Sequence, residues 1–123
     1  MTNPASAPVL ETIDDARCQA FVRHLEFVGR RWVGSILLAG LRGARRFSEY
    51  RAVVEGISDR LLSARLKELE AEGLMERTVV PTTPVTISYA PTPRGRTLIQ
   101  AVQPLAHWTY EDEQRGRLRA VSD

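Results

Sequence analysis

Hydrophobic side chains recur at helical spacing along most of this chain, and at a spacing of two in one stretch beyond residue 73. The clearest helical pattern covers residues 57–73, where one arc carries four leucines: Leu61, Leu62, Leu66 and Leu69. Ser58 or Asp59 can cap the first free amides, and Gly73 suits the left-handed position that ends many helices. The pattern predicts a helix with one face in a hydrophobic core.

The opposite arc of this helix is short-chained, hydroxylated and cationic, and it carries Arg60, Ser63, Ala64 and Lys67. Small side chains allow close approach to a DNA major groove, where Arg and Lys donate to guanine or to phosphate. An ordinary amphipathic helix with a solvated charged face shows the same pattern. For the helix taken alone, the solvated face is the favoured interpretation, so the neighbouring elements must decide.

Helical patterns predict three helices before this one and one after it. The second of them is apolar over more than half of its surface, which indicates a central position in the domain. Ser48 is expected to cap the third. The predicted spans are Thr12 or Asp14 to Gly29, Arg31 to Leu41, Glu49 to Val54, and a last helix that begins at Thr92 or Pro93 and is kinked by Pro104.

Beyond Gly73 the period of the pattern changes to two. Residues 74–80 are rich in β-branched side chains, residues 81–84 form a turn, and alternation then resumes in a second strand, which predicts a β-hairpin. Helix, turn, helix and hairpin in this order are typical of a winged helix-turn-helix, with the helix before the hairpin as the recognition helix. The stretch Arg45-Arg46-Phe47 is expected to form a single strand-like bridge.

The predicted fold class is therefore mainly α with a small β-hairpin wing. One winged helix-turn-helix domain is expected over residues 12–112. A disordered N-terminal tail, residues 1–11, and a charged C-terminal tail, residues 113–123, are expected to flank it.

The net charge of +2 is modest, but its distribution is uneven. Residues 30–67 carry nine basic and three acidic side chains, whereas the segments on either side are net acidic. This distribution favours a polyanion-binding surface. No apolar run is long enough to span a bilayer, and one cysteine cannot form an internal disulfide, so we expect a cytoplasmic protein without a membrane partner.

Several motifs match the pattern of a known family. They are Gly29-Arg30-Arg31-Trp32, Gly43-Ala44-Arg45-Arg46-Phe47-Ser48-Glu49, Gly56-Ile57-Ser58-Asp59-Arg60 and Leu62-Ser63-Ala64-Arg65-Leu66-Lys67-Glu68-Leu69. On these motifs the chain resembles, over roughly residues 18–110, the HxlR family of bacterial transcriptional regulators, which are MarR-like winged-helix proteins.

The resemblance implies a sequence-specific DNA-binding regulator, a repressor or an activator, without a cofactor, a metal or enzymatic activity. It implies a homodimer, joined through the first and last helices, on double-stranded DNA with an inverted-repeat operator. The implied DNA-binding residues are Arg45, Arg46, Ser48, Ser58, Arg60, Ser63, Ala64, Arg65, Lys67, Thr82 and Thr83. The implied dimer-interface residues are Phe21, Leu25, Leu105 and Trp108.

Three positions depart from the expected pattern. Arg65 falls inside the apolar arc of its helix, where a bond to backbone or to Glu49 is the alternative to a DNA contact. The wing tip, residues 81–86, has no Arg or Lys to enter a minor groove, which leaves hydroxyl or backbone contacts to phosphate. Pro91 is expected to end the second wing strand early.

Cys18 lies in the first helix, where several members of the family carry a redox-sensing thiol. It is one residue farther from Trp32 than the family pattern, and a buried cysteine that packs as a small hydrophobic residue is the favoured interpretation. A redox sensor is the alternative. His24 and His107 have no second ligand at metal-binding spacing.

Two other functions stay open at this point. A winged helix can serve as a protein–protein interaction module without specific DNA binding, but such a module is expected to show an apolar or acidic recognition face. A small-molecule effector could also bind between the first and last helices of a ligand-responsive regulator.

Overall fold

The computed structural model describes residues 10–116, which form five α-helices and a two-stranded antiparallel hairpin. A short 3-10 helix, Leu10–Thr12, precedes them. In chain order the elements are α1 (Asp15–Val28), α2 (Val33–Leu41), α3 (Phe47–Val53), α4 (Asp59–Ala71), β1 (Met75–Val80), β2 (Thr86–Pro91) and α5 (Pro93–Gln114). This architecture confirms the predicted fold class. The two predicted tails lie largely outside the described residues and stay a prediction.

The core is built around α2, which packs against α1, α3, α4, α5 and β2. Val33, Ile36 and Leu37 of this helix are fully buried. Around them lie Tyr50, Leu62, Leu66, Leu69, Leu74 and Met75. The predicted central position of the most apolar helix is confirmed.

The start of α2 differs from the prediction. Trp32 has a left-handed backbone, with φ 82°, so the helix begins at Val33 and not at Arg31. A bulky residue seldom adopts this conformation. The Trp32 ring is held between the Arg31 guanidinium, 4.6 Å from the ring centroid, and the Gly56 turn. Trp32 is thus half-buried at the edge of the core.

The start of α3 also differs from the prediction. The helix begins at Phe47 with Arg46 as its cap residue, so Ser48 lies inside the helix and does not cap it. Glu49 takes the capping role instead: its carboxylate accepts hydrogen bonds from the backbone amides of Arg46 and Arg45, both at 2.9 Å. These two bonds lower the pKa of Glu49 below its ordinary value because they stabilise the ionised form.

The wing hairpin pairs Met75 with Pro91 at its base and Val80 with Thr86 near its tip. Pro91 therefore belongs to β2, and the prediction that it ends the strand early was wrong. The amide of Tyr89 points away from β1, to the Arg45 carbonyl at 2.7 Å. Pro91 is two residues farther along and shares that orientation, so its missing N–H removes no bond between β1 and β2.

Arg45 contacts the wing through that backbone hydrogen bond. No strand is assigned at Arg45-Arg46-Phe47, so the predicted strand-like bridge is reduced to one backbone contact. Tyr50 adds a second contact, because its buried O–H donates to the Tyr89 carbonyl at 2.8 Å. Both polar backbone atoms of Tyr89 thus attach the wing to the helix-turn-helix.

The beginning of α5 is tied to the end of α4. Thr92 caps α5 and also donates from its hydroxyl to the Gly73 carbonyl at 2.7 Å. A Cβ at Gly95 would lie 2.2 Å from the Leu74 carbonyl oxygen, so only glycine allows this approach of α5 to the turn after α4. Pro104 lies inside α5, which continues past it, and the predicted kink at Pro104 stays a prediction.

Candidate nucleic-acid interface

The outer face of α4 is the best-formed candidate surface. Ser58 caps the helix through its Oγ, which accepts from the Leu61 amide at 3.1 Å, and Gly73 follows its end with φ 72°. Leu62, Leu66 and Leu69 anchor the inner face in the core. Because that face is fixed, the helix presents the opposite one to solvent.

Four predicted DNA-binding residues share this outer face: Arg60, Ser63, Ala64 and Lys67. Arg60, Ser63 and Lys67 are exposed, and Ala64 is half-exposed. Neither Arg60 nor Lys67 forms an ion pair with any residue in the described part of the chain. The two cations are seven residues apart, which is about 10 Å along the helix. Both cations are therefore available to an anionic partner.

Arg65 lies elsewhere. Its Nε donates to the Arg31 carbonyl at 3.1 Å, and its Nη1 donates to the Glu68 carboxylate at 3.0 Å. The same carboxylate pairs with Arg30 at 3.1 Å. The expected backbone bond of Arg65 is therefore present, and Glu68 takes the place of the expected partner Glu49. The DNA contact of Arg65 stays a prediction. Arg65 and Glu68 fix the recognition helix to the loop between α1 and α2.

The side chain of Arg45 is also turned into the protein. Its Nη1 donates to the carbonyls of Gly40 and Ala44, both at 2.7 Å, at the end of α2. Arg45 thus has a structural role at the end of α2, and its contact with DNA backbone stays a prediction. Arg46 and Ser48 beside it are exposed at the beginning of α3.

An ion pair that the sequence did not suggest joins the two helices of the helix-turn-helix. Arg51 of α3 lies 3.2 Å from both carboxylate oxygens of Asp59, the first residue of α4. Both side chains are more than half exposed, so the pair contributes little to stability. It neutralises the acidic residue nearest Arg60.

The wing tip carries hydroxyls and apolar side chains. Thr82 donates from its Oγ1 to the Pro84 carbonyl at 2.8 Å, which organises the turn, and Thr83 is exposed. Val79, Val85 and Ile87 are exposed beside them. Arg77 is the one basic residue of the hairpin sequence, and it lies nearer the base than the tip.

A second exposed surface is apolar. The four predicted dimer-interface residues are 40–57% exposed, namely Phe21, Leu25, Leu105 and Trp108. The first three line one groove of about 320 Å³ between α1 and α5, and Trp108 lies one turn beyond Leu105. A continuous apolar groove of this kind is typical of a surface that another protein covers.

Cys18 is exposed, so the prediction of a buried packing role was wrong. It precedes Phe21 and Leu25 by three and seven residues, which places all three on one side of α1. The thiol therefore belongs to the apolar stripe of α1.

Within residues 10–116, no cluster of three or more potential metal-ligating side chains is present. His24 contacts the Ala20 carbonyl at 2.8 Å, and His107 pairs with Glu111. Across the same residues, no helix has the length and apolar character that a membrane crossing needs.

Comparison with known sequences identifies helix-turn-helix relatives. The model of the HxlR-like helix-turn-helix family matches residues 27–116. YvaP of Bacillus subtilis, an uncharacterised HTH-type transcriptional regulator, is 40% identical over 94 residues, which cover 76% of this chain and 87% of YvaP. The HTH-type transcriptional regulator YodB of Bacillus subtilis is 35% identical over 91 residues, covering 74% of this chain and 81% of YodB.

Solved structures agree with the sequence matches. The reduced form of YodB has a TM-score of 0.68 at 32% identity, covering 78% of this chain and 91% of that structure. Other structures show YodB treated with diamide and YodB with bound quinone. A MarR-family regulator from Enterococcus faecalis V583 has a TM-score of 0.75 at 28% identity, covering 85% of this chain and 94% of that structure.

Proposed function

The chain belongs to the HxlR-like helix-turn-helix family of DNA-binding transcriptional regulators, and we propose that it binds an inverted-repeat operator as a homodimer. In this proposal it acts in the cytoplasm and has no enzymatic activity. The observation that carries it is the outer face of α4, where Arg60 and Lys67 are exposed and unpaired among the described residues while three leucines hold the inner face in the core.

In the proposed complex, α4 enters the major groove. Arg60 donates to a base edge, Lys67 to phosphate, and Ser63 with Ala64 allow the helix to approach closely. Arg46 and Ser48 contact the backbone from the beginning of α3. Because the wing tip lacks cations, Thr82 and Thr83 contact phosphate through hydroxyl or backbone groups. A protein–protein module is disfavoured because this recognition face is neither apolar nor acidic.

The proposed dimer buries the groove between α1 and α5 of both protomers. One protomer presents one recognition helix, whereas two related by a dyad can reach half-sites about 34 Å apart. The exposure of Phe21, Leu25, Leu105 and Trp108 supports this arrangement, because burial of such side chains is favourable.

The test begins with selection of bound sequences from random DNA. On the selected site, we expect Arg60→Ala to weaken binding by about 1–3 kcal/mol, with a smaller effect on random DNA. We expect Lys67→Ala to weaken binding about equally on both DNAs and to flatten the salt dependence by about one unit.

Arg96→Ala is the matched control, because Arg96 is an exposed arginine on α5, away from the recognition face. It should bind like wild type. If both α4 variants also bind like wild type, α4 does not enter the groove.

A redox response through Cys18 is a second candidate. Two observations favour it: the thiol is exposed on the apolar stripe of α1, and the similar regulator YodB has diamide-treated and quinone-bound structures. Modification of a thiol on this stripe would act directly on the proposed dimer interface.

A further inference from the structure

A cavity of about 540 Å³ opens between α1, the turn after α4 and the first turns of α5. Phe27, Val28, Leu74 and Leu98 supply apolar walls, and Arg23 and Arg94 supply two guanidinium groups. The volume lies within the range of small-molecule sites, and an apolar pocket with a few convergent polar groups is their usual form.

The charges of this cavity favour an anion. Arg23 makes no hydrogen bond or ion pair with any residue in the described part of the chain. Arg94 donates to the backbone carbonyl of Glu72, which carries no formal charge. The Glu72 side chain is the one carboxylate among the lining residues, which also include two arginines. A carboxylate ligand would complete this arrangement, because arginine forms strong, bidentate pairs with carboxylates.

The cavity is also placed to affect DNA binding. The Glu72 carbonyl that Arg94 contacts lies at the end of α4, next to the Thr92–Gly73 hydrogen bond and the close approach of Gly95. The cavity shares His24, Val28, Leu98 and Ala101 with the groove between α1 and α5. A ligand here would therefore contact the dimerisation helices and the end of the recognition helix together.

We propose that this cavity is an effector site for a small apolar carboxylate, such as an aromatic or medium-chain acid. The carboxylate pairs with Arg23 and Arg94, and the apolar part packs against Phe27 and Leu98. Arg94 then exchanges an uncharged carbonyl partner for a charged one, which loosens the end of α4 and weakens operator binding. This regulatory consequence rests on the proposed function, whereas ligand binding does not.

Calorimetry on the purified full chain without DNA tests the site, with 2-naphthoate, octanoate and the neutral 2-naphthamide as probes. At least one acid should bind with a Kd of about 1 mM or tighter, and 2-naphthoate should bind about tenfold tighter than its amide. Arg23→Gln and Arg94→Gln should each weaken binding of the acid by about fivefold and leave the amide unchanged. Arg96→Gln, on α5 but outside the cavity, is the matched control.

Thr97→Phe provides an independent variant, because it fills the cavity without removing a charge and without touching the groove between α1 and α5. Its thermal unfolding reports whether it is folded, and in the folded variant acid binding should be lost. Failure of both acids to bind wild type, equal binding of acid and amide, or an equal effect of Arg96→Gln and Arg23→Gln would overturn the site.

Operator binding with and without saturating 2-naphthoate tests the regulatory consequence. The acid should weaken operator affinity about tenfold in wild type and leave Arg23→Gln unaffected, and by linkage operator DNA should weaken acid binding by the same factor. Acid binding with unchanged operator affinity would overturn the regulatory role. If wild type binds no DNA even without acid, the proposed function fails. Calorimetry without DNA still shows whether the cavity binds the acid.

Discussion

Helices α4 and α1 are nearly equal in length, with 13 and 14 residues, but they differ in how far their side chains are buried. Both carry an apolar stripe along one side. In α4 the stripe is buried through Leu62, Leu66 and Leu69, whereas α1 has no buried residue along its whole length. An apolar stripe therefore does not by itself decide whether a helix is buried within its own chain.

The difference corresponds to two tasks. In the proposed complex with DNA, α4 must be held rigidly, because a displaced helix cannot align its cations with base edges and phosphates. Its three leucines and the Arg65–Glu68–Arg30 cluster provide that rigidity. The stripe of α1 joins that of α5 in one open groove, which a second copy can cover. The following experiments test this contrast, from the largest expected effect to the smallest.

Leu66→Ala and Leu25→Ala remove the same atoms from the two stripes. Leu66 is 1% exposed, so its truncation leaves a core cavity and should lower the free energy of unfolding by about 2–5 kcal/mol. Leu25 is 55% exposed, and its truncation should lower the stability of the isolated protomer by less than about 1 kcal/mol. Denaturant unfolding at low protein concentration measures both. Equal losses would show that α1 is packed within its own chain.

Trp108→Ala tests the open surface. If Trp108 is a central anchor of the proposed dimer, its removal should weaken dimerisation by about 2–4 kcal/mol, measured by sedimentation equilibrium. Tyr110→Ala is the matched control: Tyr110 is 55% exposed and lies two residues farther, on nearly the opposite side of α5. A monomeric wild type, or equal effects of the two variants, would contradict this interface.

The pH dependence of stability tests the packed region, because Tyr50 is buried there. Burial raises the pKa of Tyr50 to about 12 from its ordinary value of 10.0, so the folded chain holds this proton more tightly than the unfolded chain does. Its stabilising contribution is complete below pH 10.0 and is lost as the pH rises to about 12. Stability measured across this window should fall in wild type and change less in Tyr50→Phe. The same slope in both proteins would assign the loss to other groups.

Cys18 is the corresponding probe of the open surface, with the smallest expected effect on folding. Because the thiol is exposed, diamide should modify it without altering the thermal unfolding of the protomer by more than about 1 kcal/mol. Under the redox proposal, diamide weakens operator binding by wild type but not by Cys18→Ser. Added thiol restores the operator binding of wild type. An equal response of both proteins, or none, would remove Cys18 from regulation.

Much of the fold could be predicted because its determinants are local. The ends of α4, with Ser58 as cap and Gly73 after it, depend on side chains and backbone preferences within a few residues. The start of α2 was missed because Trp32 adopts a left-handed backbone, so the helix begins only after it. The start of α3 was missed because Glu49, at the third helical position, caps the amides of Arg46 and Arg45 in place of a Ser48 cap.

The sequence by itself determined the order of the elements, the central place of α2 and the cationic outer face of α4, because periodicity and capping act over one or two helical turns. Only the tertiary structure decided that Arg65 and Arg45 turn into the protein while Arg60 and Lys67 remain exposed. It also decided that Pro91 stays in its strand and that Cys18 is exposed. In each of these cases the deciding factor is the surroundings that folding brings to the residue: the Arg31 carbonyl beside Arg65, the Arg45 carbonyl beside β2, or solvent at Cys18.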